Sequence, residues 1–149
     1  MLVKDIMKKS AATCATEHDL ESVVGLMRNH DCGFLPVVDS NGVVVGVITD
    51  RDICLASGSK HRPLARISVE QTMSHPVFSC FPDENLKIVL ATMAKRRVRR
   101  LPVLNKSGHL EGDLSMDDIV SAPVRRGGPT ADEIVAALKG VYALQPVTN

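Results

Sequence analysis

Two seven-residue segments carry the residue types best able to do chemistry in this chain, Gly46-Val47-Ile48-Thr49-Asp50-Arg51-Asp52 and Gly112-Asp113-Leu114-Ser115-Met116-Asp117-Asp118. Both fit Gly-x-x-Ser/Thr-x-x-Asp, and two readings of that pattern compete. In one, the hydroxyl caps the N–H groups that open a helix and the acid three residues on completes a capping box. In the other, the glycine permits close approach and the carboxylate accepts hydrogen bonds from the vicinal hydroxyls of a ribose, beside a helix N-terminus. One copy alone favours the cap. The recurrence of glycine, hydroxyl and acid together raises the second reading.

A third candidate is the basic run Lys95-Arg96-Arg97-Val98-Arg99-Arg100. It suits either a phosphate contact or a solvated helix end, where cations complement the carboxyl-terminal dipole. The helix-end reading weighs more for Lys95, Arg96 and Arg97 than for Arg99 and Arg100. Nucleic-acid binding through the run is an alternative, but no aromatic platform is interleaved with it. The five histidines, His18, His30, His61, His75 and His109, are scattered, and no Gly-x-Ser-x-Gly, Walker or His-Glu-x-x-His motif occurs. Neither a catalytic nor a metal site is therefore expected.

The elements that must position these residues follow from a duplication. Sliding the chain along itself by 66 residues pairs Met7 with Met73, Cys14 with Cys80, Leu20 with Leu86, Met27 with Met93, Leu35-Pro36-Val37 with Leu101-Pro102-Val103, and Asp52-Ile53 with Asp118-Ile119. One register held over so many positions marks a tandem repeat. Each copy reads β-α-β-β-α. The spacing of Leu20, Val23, Val24 and Met27, and of Leu86, Val89, Leu90 and Met93, predicts one apolar helix face per copy. Strands through Leu35–Val38 and Val43–Ile48 flank a turn at Asp39 to Gly42, and strands through Leu101–Leu104 and Leu110–Leu114 flank a turn at Lys106 to Gly108. A helix then starts near Asp50 and near Met116.

The breaker-rich segment Ser57 to Pro63 reads as an exposed linker between the copies, dividing the chain into repeats over 1–58 and 68–124 with a linker over 59–67. Arg125 to Pro129 reads as a further loop. Thr130-Ala131-Asp132-Glu133 has capping-box form, opening a helix with Ile134, Val135, Leu138, Val141 and Tyr142 on one face. That face packs on its own domain or forms a dimer contact.

Composition bounds the rest. The chain has 149 residues, 44% hydrophobic and 3% aromatic, so an aliphatic core must carry an α/β fold. Lys and Arg number 18 against 17 Asp and Glu, leaving no overall field for nucleic acid or membrane. The start has no basic segment followed by a long apolar run, and no stretch reaches transmembrane length. Cys14, Cys32, Cys54 and Cys80 lack C-x-x-C spacing, which fits free thiols in a reducing cytoplasm. Cys14 and Cys80 read as packing residues.

The Asp5-Ile6-Met7 opening, the two Leu-Pro-Val runs and the two Gly-x-x-Ser/Thr-x-x-Asp segments together resemble a CBS-domain pair, the regulatory module named for cystathionine β-synthase, over Val3 to Ala122. The resemblance implies an α+β arrangement in which two repeats pack sheet to sheet with pseudo-twofold symmetry, with adenosine-containing ligands held in clefts between them. It implies that Asp52 and Asp118 hold ribose, that Thr49 and Ser115 lie near ribose and phosphate, and that Thr13 and Ser79 border the adenine. It also implies a homodimer, and a target protein is a further expected partner.

Charge separates the two copies. Arg51 stands where the second copy has Asp117, and Val45 and Val47 correspond to Glu111 and Asp113. One dominant site is therefore expected, from Thr13, Gly46, Thr49, Arg51 and Asp52 with Arg99 or Arg100 supplying charge across the cleft. Ser79, Gly112, Ser115 and Asp118 would form a weaker one. Glu111 and Asp113 are alternative partners for those arginines. The expected ligand is AMP, ADP or ATP, with NAD, S-adenosylmethionine and a cyclic dinucleotide sharing the ribose motif. A regulator that acts by contact, without nucleotide, is the other class.

Overall fold

Leu20, Val23 and Met27 recur at helical spacing and are all buried in α1 (Leu20–Asn29), whose first turn is closed by Asp19 accepting from Ser22 N at 2.8 Å. The computed structural model describes residues 1–9, 11–123 and 126–143. Before α1 lies a two-residue strand, β1 (Cys14–Ala15), and after it come β2 (Phe34–Val38), β3 (Val44–Thr49) and α2 (Asp50–Lys60). The second copy repeats the order with α3 (Leu86–Arg96), β4 (Arg100–Leu104), β5 (Leu110–Ser115) and α4 (Met116–Ser121), and α5 (Ala131–Val141) follows. Copy two has no named counterpart of β1, but Cys80 bridges Val103 in parallel as Cys14 bridges Val37. The result is the mixed α/β fold expected, with a three-stranded sheet β1-β2-β3 and a two-stranded sheet β4-β5.

The hairpin turns are written in the side chains. Asp39 Oδ1 accepts from the N–H groups of Asn41 and Val43, at 2.9 and 3.0 Å, and Asn105 Oδ1 accepts from Ser107 and His109 at the same distances. Gly42 and Gly108 take φ of +78° and +81°, which a Cβ would strain.

Contacts divide the chain into two compact units, each drawing on both sequence copies. Unit 1 comprises Met1–Lys9, Phe78–Val103 and Glu111–Asn149; unit 2 comprises Ser10–Val77 and Leu104–Leu110. In unit 1 Lys8 and Asp113 exchange backbone hydrogen bonds of 2.9 Å, and in unit 2 the 66-residue counterparts Ser74 and Val47 do the same at 2.8 and 3.1 Å. The opening segment of each copy thus lies along the hairpin of the other. Leu86, Val89, Met93, Leu101, Val103 and Leu114 form the core of unit 1; Leu20, Val23, Leu35, Val37, Ile48 and Ile67 form that of unit 2.

Two expectations are corrected. The segment expected as linker begins inside a helix, since α2 runs on to Lys60. There Ser57 and Ser59 hydroxyls donate back to the carbonyls of Cys54 and Ala56, and the helix stops only where His61 turns left-handed ahead of Pro63. In α5 the capping box at Thr130 and Glu133 forms as read, but the buried face is rotated. Ala137 and Val141 are buried with Ile134 and Leu138 beside them, while Val135 and Tyr142 are exposed. The face packs on α3 in its own unit, where Gly140 lies so near Ala94 that a Cβ there would come within 2.9 Å of that side chain. The expected loop at Arg125 to Pro129 begins at a residue outside the described ones. Among the described residues no helix is long and apolar enough to cross a membrane.

Candidate functional site

In unit 2, β3 delivers its last residue, Thr49, directly to the start of α2 as the N-cap. Thr49 Oγ1 accepts from Asp52 N at 3.2 Å, and Asp52 Oδ2 in turn accepts from Thr49 N at 2.9 Å and from Thr49 Oγ1 at 2.7 Å. This is a complete capping box, so that reading of the motif is realised. It does not exhaust the carboxylate. A carboxylate has about four lone-pair positions, and among the described residues Asp52 Oδ1 accepts no hydrogen bond and Asp52 enters no ion pair. Thr49 is half-buried, Arg51 is exposed on the first turn of α2, and Thr13 lies just ahead of β1, half-buried.

Gly46 has a packing explanation. A Cβ there would come within 2.5 Å of Met73 Sδ, so the missing side chain makes room for the methionine that opens the second copy. Gly112 is tighter still, because its Cβ would collide with the backbone carbonyl of Lys8.

Unit 1 carries the second motif in the same local form with different surroundings. Ser115 caps α4, and Asp118 Oδ2 accepts from Ser115 N at 2.8 Å and from the Ser115 hydroxyl. Ser115 is only 1% exposed. Asp118 Oδ1 is taken by Lys8 Nζ at 3.3 Å, with the Asp118 side chain 11% exposed. Ser79 is half-buried ahead of Cys80. Burial pushes the Asp113 carboxyl above its ordinary range, opposed by Arg100, reinforced by Asp118 and opposed again by Lys8.

Arg99 and Arg100 fall in unit 1, beside the second motif. The Arg99 carbonyl accepts from Met116 N at 2.9 Å, as the Gly33 carbonyl accepts from Asp50 N at 3.1 Å in the other copy. The Arg99 guanidinium lies 5.9 Å from the Tyr142 ring, and Arg100 stands 3.9 Å from Asp117. Asp117 and Asp113 are thus two acids that Arg100 meets within its unit. Lys95 and Arg96 form the last turn of α3 and Arg97 is its left-handed C-cap, the helix-end placement.

Candidate residues thus gather as two sets, Thr13, Gly46, Thr49, Arg51 and Asp52 in unit 2 and Ser79, Arg99, Arg100, Gly112, Ser115 and Asp118 in unit 1. Sequence reading passed over Lys8 and assigned Tyr142 to the apolar face of the last helix, with no link to Arg99. The 66-residue register does contain a signal for Lys8, since its counterpart is the uncharged Ser74, but nothing local places it against Asp118. A shallow open depression of about 380 Å³ on the outer face of α3, lined by Lys87, Ile88, Ala91, Thr92 and Lys95, holds none of the expected ribose residues. Among the described residues no cluster of His, Cys, Asp and Glu is arranged to hold a metal ion.

Comparison with known proteins agrees with this arrangement. The family model described as CBS domain matches residues 3–59 and 68–125. The CBS domain-containing protein YhcV of Bacillus subtilis is 32% identical over 117 residues, covering 78% of this chain and 81% of that protein. Homoserine O-acetyltransferase of Methanococcoides burtonii is 30% identical over 117 residues, but the chain spans only 23% of its length. The CBS domain pair of protein MJ0100, solved with 5′-methylthioadenosine and S-adenosyl-L-methionine, superposes with a TM-score of 0.74 at 28% identity, covering 80% of this chain and 93% of that one.

Proposed function

The chain belongs to the CBS-domain family, and from that premise we propose that it is a non-catalytic regulatory module that binds an adenosine-containing ligand. The observation that carries this reading is the Asp52 carboxylate, half-buried at the start of α2, with Oδ2 held by the cap and Oδ1 left as an acceptor. A fixed, single-oxygen cap is what a diol-binding carboxylate needs, because the side chain is oriented before the ligand arrives. The solved relative that carries adenosine-containing molecules supports the ligand class. The proposed ligand is AMP, ADP or ATP.

Asp52 would hold the ribose, Thr49 would lie beside it, Thr13 would border the adenine, and Arg51 would offer positive charge to a phosphate. Arg99 and Arg100 are proposed for the phosphate as well. Ser79, Ser115 and Asp118 would form the weaker position. Gly46 and Gly112 serve packing. The proposed chemistry is recognition, in which hydrogen bonds to a carboxylate contribute about 1.5–3 kcal/mol each. A homodimer and a separate target protein are further proposals, as is a reducing, cytoplasmic location for the four free thiols.

A second reading, regulation by contact alone, draws on Leu55 and Ile88, which are 59% and 64% exposed on helices α2 and α3. Thermal melting against adenine compounds, with guanine counterparts as controls, separates the two. A ligand at a hundred times its dissociation constant stabilises by about 2.7 kcal/mol, which raises the midpoint by about 5–10 °C for a chain of this size. An adenine-restricted shift supports the sensor; no shift with any compound supports the contact regulator.

A further inference from the structure

The two ribose motifs share their glycine, hydroxyl and carboxylate, and beyond their own charge differences they differ in what the exchanged segment brings to them. In unit 2 the segment places Ser74 beside Val47, and Asp52 forms no ion pair among the described residues. In unit 1 the same backbone pairing places Lys8 beside Asp113, and its ammonium reaches Asp118 Oδ1 at 3.3 Å. The second carboxylate therefore has one oxygen held by the cap and the other met by an internal cation. Its hydroxyl partner Ser115 is sealed at 1% exposure. We propose that Lys8 acts as a built-in competitor that closes the second copy's ribose position, so that the duplicated module binds one adenosine ligand rather than two.

The physical basis is exchange. A ribose diol would donate to the same oxygen that Lys8 meets, so binding there competes with an ion pair at a nearly buried carboxylate. Lys8 itself is 63% exposed, so its removal leaves no cavity. The pair also leaves Lys8 between Asp113 and Asp118, where it offsets part of the acidic charge. Lys8 thus opposes a neutral nucleoside more than an anionic nucleotide, and that difference separates competition for the diol from a general change in the fold.

The proposal rests on the adenosine-binding reading and is tested alongside it. Titration calorimetry with adenosine as the probe and 2′,3′-dideoxyadenosine as control is run on the wild type, on Lys8→Ser and Lys8→Met, and on each combined with Asp52→Asn. In the Asp52→Asn background, either Lys8 substitution is expected to strengthen adenosine binding about three- to tenfold, with no gain for the dideoxy control. Lys8→Met keeps the aliphatic stem, so an equal gain there assigns the effect to the ammonium. Wild-type binding of one adenosine with no gain in any Lys8 variant overturns this inference and leaves the ligand class standing. Two equivalent sites in the wild type also overturn it. Absence of adenosine binding in every protein overturns both.

Discussion

Asp52 can be made to report its two roles separately. Asp52→Ala removes the acceptor for Thr49 N and Thr49 Oγ1, hydrogen bonds of 2.9 and 2.7 Å, and so opens the capping box of α2. Loss of a cap costs about 1 kcal/mol, which lowers the midpoint by about 2–4 °C in a chain of this length. Asp52→Asn keeps one oxygen acceptor for the cap, so its midpoint is expected to stay within about half that drop. Binding should respond in the other order. Either substitution removes a charged acceptor for the diol, worth about 1.5–3 kcal/mol, so AMP affinity is expected to fall about ten- to hundredfold in Asp52→Asn as well as in Asp52→Ala. Melting without ligand measures the cap and calorimetry with AMP measures the site. If Asp52→Asn binds AMP as the wild type does while Asp52→Ala loses only stability, the carboxylate is a helix cap and nothing more, and the reasoning fails.

Other perturbations probe the surroundings. The Asp113 carboxyl is raised mainly by burial, so the folded state binds its proton more tightly than the unfolded state, and stability is lost as pH rises from the ordinary aspartate range through the raised value. Asp113→Asn should therefore raise the melting midpoint at pH 7 and leave it unchanged near pH 3; no gain at pH 7 would show that its pairing with Arg100 and Lys8 outweighs burial. Gly112→Ala should destabilise more than Gly46→Ala, because the new methyl meets the Lys8 backbone in one case and the flexible end of Met73 in the other; denaturant midpoints rank the two. Burial pushes the thiol of Cys14 up to about 11 and that of Cys80 up to about 12, whereas Cys54 is exposed. At pH 8 a thiol reagent should label Cys54 readily and reach Cys14 and Cys80 only on unfolding; fast labelling of either buried thiol in the folded protein would contradict the packing.

Much of the molecule was legible because its signals are local. The turns at Asp39 and Asn105 need only an acceptor side chain two to four residues before the N–H groups it binds. The caps at Thr49, Ser115 and Thr130 need only an acid or glutamate three residues on. Core positions such as Leu20, Val23 and Met27 follow from helical spacing, and the 66-residue register doubles every such reading. Composition misled where a tertiary or backbone alternative was available. Ser57-Gly58-Ser59 reads as a linker, yet the helix before it continues, since serine hydroxyls can bond back to its carbonyls. The face of α5 was misplaced because its apolar residues span more of the circumference than the surface of α3 covers, and small Ala137 and Gly140 fit that surface more closely than Val135 or Tyr142.

The duplication, the α/β class and the pair of hydroxyl-and-carboxylate motifs belong to the sequence, because each is a matter of residue type at short or repeated spacing. Tertiary structure decided which backbone lies against each motif. Lys8 is 110 residues from Asp118 and Ser74 is 22 from Asp52, distances over which periodicity carries no information. Their places depend on which arrangement of the opening segments pairs the most backbone groups and buries Val3 and Val69 in the two cores. Two motifs of one Gly-x-x-Ser/Thr-x-x-Asp pattern thereby acquired different charge environments, one carboxylate left with a free acceptor and the other met by an ammonium.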